Sequence, residues 1–332
     1  MKAAIEIENL NFKYSKDQDY VLKDINLTIK EKEFVLLMGP SGCGKSTLIY
    51  MLNGVVPHII EGFREGSVRV KGKDVADEEL RNLSQMVGTV FQNPETQFFT
   101  LSVLNEIAFG PENLCLPREE IDRRVKEVVK TVGIEDLIEK DIMSLSGGQK
   151  QRVATASVLA MKPSILILDE PTSQLDPQGA IEMLLTVKRL REKLNATIIL
   201  IEHRLEEVSK HVDRVLVMNE GRIIADGPAR EVFSRVDMLE GIGIRPPQAS
   251  ELAVQLHLRN LVPHKVLPLT SEEAISMLKS LIGKRGRNNA PSLPFKSEGY
   301  VERTNNVPLV QIENLWHQYP DGTVALRGID LL

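Results

Sequence analysis

The stretch that decides the fold is Phe34–Leu52, FVLLMGPSGCGKSTLIYML. It opens on an apolar run of strand length and closes on the helical pattern Thr47–Leu52, with a Gly-x-x-x-x-Gly-Lys-Ser loop between them. Strand, loop and helix in that order are the context a phosphate-binding loop requires. The glycines let consecutive backbone N–H groups point into one concavity that cradles phosphate oxygens. The helix N-terminus adds the positive end of its dipole. Gly39, Pro40, Ser41, Gly42, Cys43, Gly44, Lys45, Ser46 and Thr47 are therefore the candidate nucleotide-binding residues. Lys45 is placed to reach the β- and γ-phosphates, and the Ser46 hydroxyl to ligate Mg²⁺. Cys43 reads first as a small filler residue, but its place at a helix start is expected to lower its thiol pKa, so that a maleimide reaches it unless a bound nucleotide protects it.

Working outward, short apolar runs recur at Val35–Met38, Ile165–Leu168, Ile198–Ile201 and Val215–Met218. Runs of this length read as strands buried on both faces, as in a parallel sheet flanked by helices. Between them, Ile121, Val125, Val128, Val129 and Val132 fall at helix spacing, with Pro117 before and Gly133 after. That is a surface helix on an α/β body. Ile165–Asp169 ends in a carboxylate suited to hold Mg²⁺ through its water shell. Glu170 follows on the other side of the pleat and can orient or deprotonate an attacking water.

Leu145-Ser146-Gly147-Gly148-Gln149 precedes a helical pattern over Lys150–Met161. With the phosphate loop before it and the Asp169–Glu170 strand after it, the chain resembles an ATP-binding cassette (ABC) ATPase over roughly residues 4–228. Further motifs follow the same order. Gln92 in FQNPETQ resembles the Q-loop, Ser173–Asp176 the D-loop and His203 the switch histidine, while Tyr14 resembles the aromatic that stacks on adenine. The resemblance implies a P-loop NTPase fold of ABC nucleotide-binding type, with a helical subdomain and a C-terminal helical extension. It implies ATP and Mg²⁺ as ligands. It assigns catalysis to Glu170, His203, Gln92 and Lys45, and the metal to Ser46, Gln92 and Asp169. Ser146, Gly147, Gly148 and Gln149 would face the γ-phosphate held by a partner cassette, so that ATP joins two domains and hydrolysis releases them. Two departures stand out: the D-loop has Gln174 where Ala is commonest, and the switch segment reads Glu202-His203-Arg204 where Thr-His-Asp is usual.

FQNPETQFF, with Glu106–Pro117 (EIAFGPENLCLP), is similar to the ATPases of energy-coupling-factor importers of vitamins, cobalt or nickel. This implies a peripheral protein at the cytoplasmic face of the membrane, partnered by a second cassette, a coupling subunit and a substrate-binding subunit. Phe98, Phe99 and Leu101 are the candidate groove residues for the coupling subunit, with helical-subdomain core as their other reading. The separate substrate-binding subunit, not this chain, would choose the cargo.

Composition fits this reading. At about 150 residues per domain, 332 residues suggest two domains. The chain is 42% hydrophobic, 41 basic residues face 46 acidic ones, and no apolar run is long enough to span a bilayer. The start, MKAAIEIENL, lacks the apolar core of a secretion signal. Cys43 and Cys115 make no disulfide framework, which favours a reducing compartment. The acidic balance speaks against a nucleic-acid partner. It also disfavours the alternative of a soluble tandem ABC ATPase acting on ribosomes. Such proteins join their cassettes by a long charged helix, whereas proline and glycine break Arg230–Val307.

The expected organisation is a cassette over 1–230, a helical extension over 231–282, a linker over 283–307 and the truncated start of a second cassette over 308–332. The last assignment rests on a repeat: Val310–Leu332 echoes Ile5–Leu27, with Ile-Glu-Asn-Leu in both and Tyr14 matching Tyr319. A phosphate loop at the same spacing would fall beyond Leu332.

Overall fold

A computed structural model describes residues 2–193, 196–262, 267–284, 312–318 and 324–331. They form two compact units, Met1–Lys284 and Arg285–Leu332.

The first unit is built on a six-stranded sheet in the order Arg222–Gly227, Arg214–Asn219, Phe34–Met38, Thr197–Ile201, Ile165–Asp169 and Val87–Val90. All neighbours are parallel except the outermost pair, Arg222–Gly227 against Arg214–Asn219. All four apolar runs of the sequence lie in this sheet. Phe34, Leu36 and Met38 pack into one core and Val35 and Leu37 into the other. Period-two alternation with both sides apolar explains why these strands read as continuous hydrophobic runs. A second, antiparallel sheet orders Leu22–Lys30, Ala3–Lys13, Phe63–Val70 and Lys73–Asp74. It covers the core on the side of the phosphate-loop helix, Lys45–Leu52.

Three helices, Val103–Asn113, Arg118–Val132 and Gly147–Ala160, form the helical subdomain. Arg118–Val132 buries Val125, Val128, Val129 and Val132 and stops at Gly133, whose φ of 72° ends the helix. The helical extension belongs to the same compact unit as the cassette. Arg230 donates to Glu273 at 2.8 and 2.9 Å, and Gln248 N donates to Glu206 Oε1 at 2.9 Å. The chain from Ala229 opens with two short helices, Ala229–Phe233 and Val236–Gly241, and the last helix runs Ser271–Lys284. Thr270 caps it, its Oγ1 accepting from Glu273 N at 3.3 Å. No helix among the described residues is long and apolar enough to cross a membrane. The expected linker, apart from its first two positions, lies outside the described residues, as does Tyr319.

The second unit contributes an antiparallel hairpin of Ile312–Gln318 and Val324–Leu331. It repeats the pairing of the chain's first two strands. Ile7↔Leu27, Leu10↔Ile25 and Phe12↔Leu22 in the first unit answer to Ile312↔Leu331, Leu315↔Ile329 and His317↔Leu326 in the second. Asn9 and Asn314 share a left-handed conformation (φ 49° and 45°). Asn9 N donates to Asn26 Oδ1, and Asn314 N to Asp330 Oδ1. The apolar faces differ: Leu10 and Ile25 are fully buried, whereas Leu315 and Ile329 are exposed.

Candidate active site

The phosphate loop leaves the C-terminal end of Phe34–Met38 and enters the helix at Gly44, whose φ of 108° suits glycine. At Gly39 a Cβ would stand 2.4 Å from Met218 O and 2.6 Å from Cys43 Sγ, so only glycine lets the loop lie this close to the neighbouring strand. Lys45 is buried, and its ammonium donates to Gly39 O at 2.7 Å and Pro40 O at 3.0 Å. Ser41, Gly42 and Ser46 are exposed, and Thr47 is buried beneath the loop. Tyr14 OH lies 2.8 Å from Thr47 Oγ1, and its ring stands edge-on to Phe12 with 36% of the residue exposed.

Cys43 corrects the sequence reading. The helix start was expected to activate its thiol, but the residue is buried against the sheet. Burial pushes the thiol pKa up, and the Lys45 charge only partly offsets this. Cys43 is a small core residue of the loop.

Asp169 and Glu170 close the strand Ile165–Asp169. Burial, and next to it the Glu170 carboxylate, push Asp169 up to about 6; Lys45 and His203 pull the other way. A carboxylate that resists ionisation beside a second carboxylate suits a bound cation. Glu170 holds a left-handed backbone (φ 46°) while its N–H donates to Ile201 O at 3.0 Å. Such strain in a non-glycine residue persists only where the surroundings over-determine it. They do here. Gln92 Nε2 donates to Glu170 Oε2 at 3.0 Å, and His203 Nε2 lies 3.0 Å from Oε1. Gln92, Glu170 and His203, drawn from three loops at one end of the sheet, thus form one hydrogen-bonded array.

Ser146, Gly147, Gly148 and Gln149 have a different neighbour. Their helix begins at Gly147, three residues earlier than expected, because Ser146 and Gln149 cap each other reciprocally. Gly147 lies against Leu175 and Gly148 against Gly179, so the signature stands beside the D-loop. Gln174 is exposed there, at the turn where the sequence departs from the usual pattern.

Of two cavities, only the first borders the array, through His203. One, of about 450 Å³, is lined by Gly39, Pro40, Ser41, His203, Ile244 and Arg245, so the helical extension forms part of its wall. The other, of about 650 Å³, is lined in part by Arg81, Gln97, Phe99, Glu106, Phe109 and Met161. Phe99 is 75% exposed and stacks on Phe109 with centroids 4.9 Å apart. Leu101 is exposed, whereas Phe98 packs into the main core, so the two readings divide between neighbouring residues. The loop is fixed from below by buried Glu106, which accepts from Phe99 N, Thr100 N and Thr100 Oγ1 at 2.9–3.1 Å. Sequence reasoning gave Glu106 no role although it opens the quoted Glu106–Pro117 segment, and it missed Arg245, which lies in no motif.

Comparison with known proteins places this geometry in a family. A family model described as ABC transporter matches residues 22–173. The chain is 44% identical over 277 residues to the energy-coupling factor transporter ATP-binding protein EcfA2 of Caldanaerobacter subterraneus subsp. tengcongensis, covering 81% of this chain and 94% of that one. The chain belongs to the ABC transporter ATP-binding family. The cassette is also similar to cbiO1 of Clostridium perfringens, part of the ABC transporter complex cbiONQ (TM-score 0.65, 37% identity, 76% of this chain and 99% of that one). The ATP-binding cassette MJ0796, solved as a dimer in a post-hydrolysis state with ADP and Pi, aligns with TM-score 0.59 and 28% identity, covering 68% of this chain and 99% of that one. The fold is that of an ABC-type P-loop NTPase. Three Methanosarcina relatives are longer, and the chain spans only 56%, 55% and 54% of their lengths.

Proposed function

We propose that this chain is the ATP-hydrolysing motor of an energy-coupling-factor type importer, coupling cassette closure to uptake of a vitamin or transition-metal ion. The observation that carries the hydrolytic part is the Gln92–Glu170–His203 array beside the phosphate loop. The donor set fits ATP and Mg²⁺: a glycine-lined cradle, a lysine already aimed along the loop, and half-buried Asp169 near Lys45. Gly39–Thr47 would wrap the phosphates, Tyr14 would take the adenine, and Ser46, Asp169 and Gln92 would hold the metal. Mg²⁺, when bound, neutralises charge on the β- and γ-phosphate oxygens. Glu170 orients the attacking water and accepts its proton, and His203 fixes the Glu170 carboxylate from the opposite side. Lys45 stabilises the charge that develops on the phosphoryl group. Ser146–Gln149 serve the nucleotide of a partner cassette, a reading supported by the dimeric MJ0796 structure.

The importer class draws support from the likeness to EcfA2 and to cbiO1, and from the aromatic groove at Phe99. In this reading the groove takes a segment of a membrane coupling subunit, and the chain works peripherally at the cytoplasmic face. The domain assignment made from sequence is proposed alongside it: cassette 1–230, extension 231–282, linker 283–307 and the opening of a second cassette from 308. The matching hairpin registers support the last of these, together with the greater length of the Methanosarcina relatives. The test is affinity purification from native membranes with an ATPase assay on the eluate. Small hydrophobic membrane proteins and ATP-dependent phosphate release are expected. Co-purifying ribosomes, or no hydrolysis, would overturn the reading.

A further inference from the structure

We infer that Glu202 is a positioning residue for His203, acting through a carboxylate that joins the switch segment to the root of the D-loop. Glu202 follows the strand Thr197–Ile201 and is only 2% exposed. Its Oε1 accepts the backbone N–H groups of His203 at 2.8 Å and Arg204 at 3.1 Å. Its Oε2 accepts the hydroxyl of Thr172, itself fully buried, at 2.6 Å. Thr172 stands two residues after Glu170, and Ser173 N and Oγ both donate to Glu170 O, at 3.1 and 2.9 Å.

The result is a closed ring of interactions. Glu170 and His203 meet at their side-chain tips, while Thr172 and Glu202 join the same two segments at their roots. The His203 side chain is 52% exposed, so packing does little to fix its imidazole. Apart from the Glu170 contact at its tip, its direction comes from its own backbone, and hydrogen bonds from that backbone to a carboxylate are the strong kind. The chemistry explains why a carboxylate serves here. Three donors on two segments need two oxygens held apart on one side chain, and a threonine hydroxyl, the usual residue before this histidine, offers a single oxygen. Glu202 reaches no reacting atom; it sets the position of a residue that does, as outer partners of catalytic groups commonly do. The role presupposes the hydrolytic reading of Glu170 and His203 for its kinetic readout, but not for its spectroscopic one.

The test compares E202Q, E202L and T172V with wild type in the full chain. Three quantities are read: kcat and KM for ATP, calorimetric affinity for ATP, and the His203 Cε1 proton resonance, assigned by its loss in H203A. E202L is expected to lower kcat about tenfold, to leave KM and affinity within about twofold, and to move the His203 resonance. E202Q keeps an oxygen for the two N–H groups and an amide for Thr172, and should restore most of both. T172V removes only the hydroxyl and should move the resonance in the same direction by less. Wild-type kcat and resonance in E202L, equal loss in E202Q and E202L, or a change in KM alone would each overturn the role. Should E202L not fold, T172V carries the test, and an unmoved His203 resonance there overturns it. A wild-type chain without turnover would sink the hydrolytic reading, while the resonance would still decide the positioning role.

Discussion

His203 Nε2 lies 3.0 Å from Glu170 Oε1, while Gln92 Nε2 donates to the other oxygen at 3.0 Å. Both oxygens of the candidate base are thus engaged from opposite sides by loops that begin on different strands. A side chain so held is committed to one orientation before substrate arrives, which is how preorganised sites lower a barrier.

Replacing Glu170 by Gln should preserve this hydrogen-bonded array while removing the proton acceptor. Turnover is expected to fall by about 10²–10⁴-fold, the range for loss of a general base. ATP binding should persist, and light scattering with saturating ATP and Mg²⁺ should reveal a nucleotide-bound dimer. A strictly monomeric species would count against the two-cassette site.

Lys45 has a structural duty beside its proposed chemical one, because its ammonium satisfies Gly39 O and Pro40 O. Lys45→Ala should abolish measurable turnover. It should also destabilise the nucleotide-free protein by about 1–3 kcal/mol, the cost of loop carbonyls left without a donor. Urea denaturation without nucleotide checks the second effect independently of the first.

Asp169 sets a pH dependence. Its folded value near 6 stands above the ordinary 3.8, so the folded state holds the extra proton between the two. The sign follows: this group makes the nucleotide-free protein less stable as pH rises through about 6. Asp169→Asn should therefore raise nucleotide-free stability at neutral pH, on the order of 1–2 kcal/mol after solvent screening. Metal binding runs the opposite way, because it needs the ionised form. Thermal melts across pH 5–8 should show Mg²⁺-ATP stabilisation fading below about pH 6 in the wild type and lost in the variant.

The cysteines should separate under a maleimide. Cys115 is exposed and Cys43 buried with a raised pKa, so Cys115 should label first, with Cys43 following only as the loop opens. Peptide mass mapping over time checks the order. Cys43 modified at the rate of Cys115 would contradict the burial.

Glu106 supports the aromatic groove from below through bonds to Phe99 N, Thr100 N and Thr100 Oγ1. Glu106→Ala should cost about 2–4 kcal/mol, since buried donors lose a charged acceptor. Phe99→Glu should keep the fold, because Phe99 is already exposed, and should abolish co-purification of membrane subunits. Chemical denaturation reads the first variant and pull-down the second.

The strands and motifs were largely legible along the chain because their signals are local. The apolar run Phe34–Met38 is buried on both faces, so its hydrophobicity is continuous, and the glycines around Lys45 mark a backbone path few other residues allow. The thiol pKa of Cys43 departs from expectation for a tertiary reason. Its place at a helix start is local, but Met218 and the sheet behind it, which bury the thiol, lie far away in sequence. Phe98 and Phe99 are adjacent, yet one faces the core and the other the groove, a division that depends on how the loop meets Glu106.

By itself the sequence determined the class of fold, the phosphate loop, the order of the motifs and the echo of Ile5–Leu27 in Val310–Leu332. These rest on spacing, periodicity and backbone preference, which act within a few residues. Only the tertiary structure decided that Gln92, Glu170 and His203 share one hydrogen-bonded array, and that Glu202 and Thr172 tie two of their segments together. It also decided that the second hairpin repeats three pairings of the first in register. Hydrogen bonds between residues 30 to 80 positions apart have directions fixed by neighbouring strands of a folded sheet, and no local pattern encodes those.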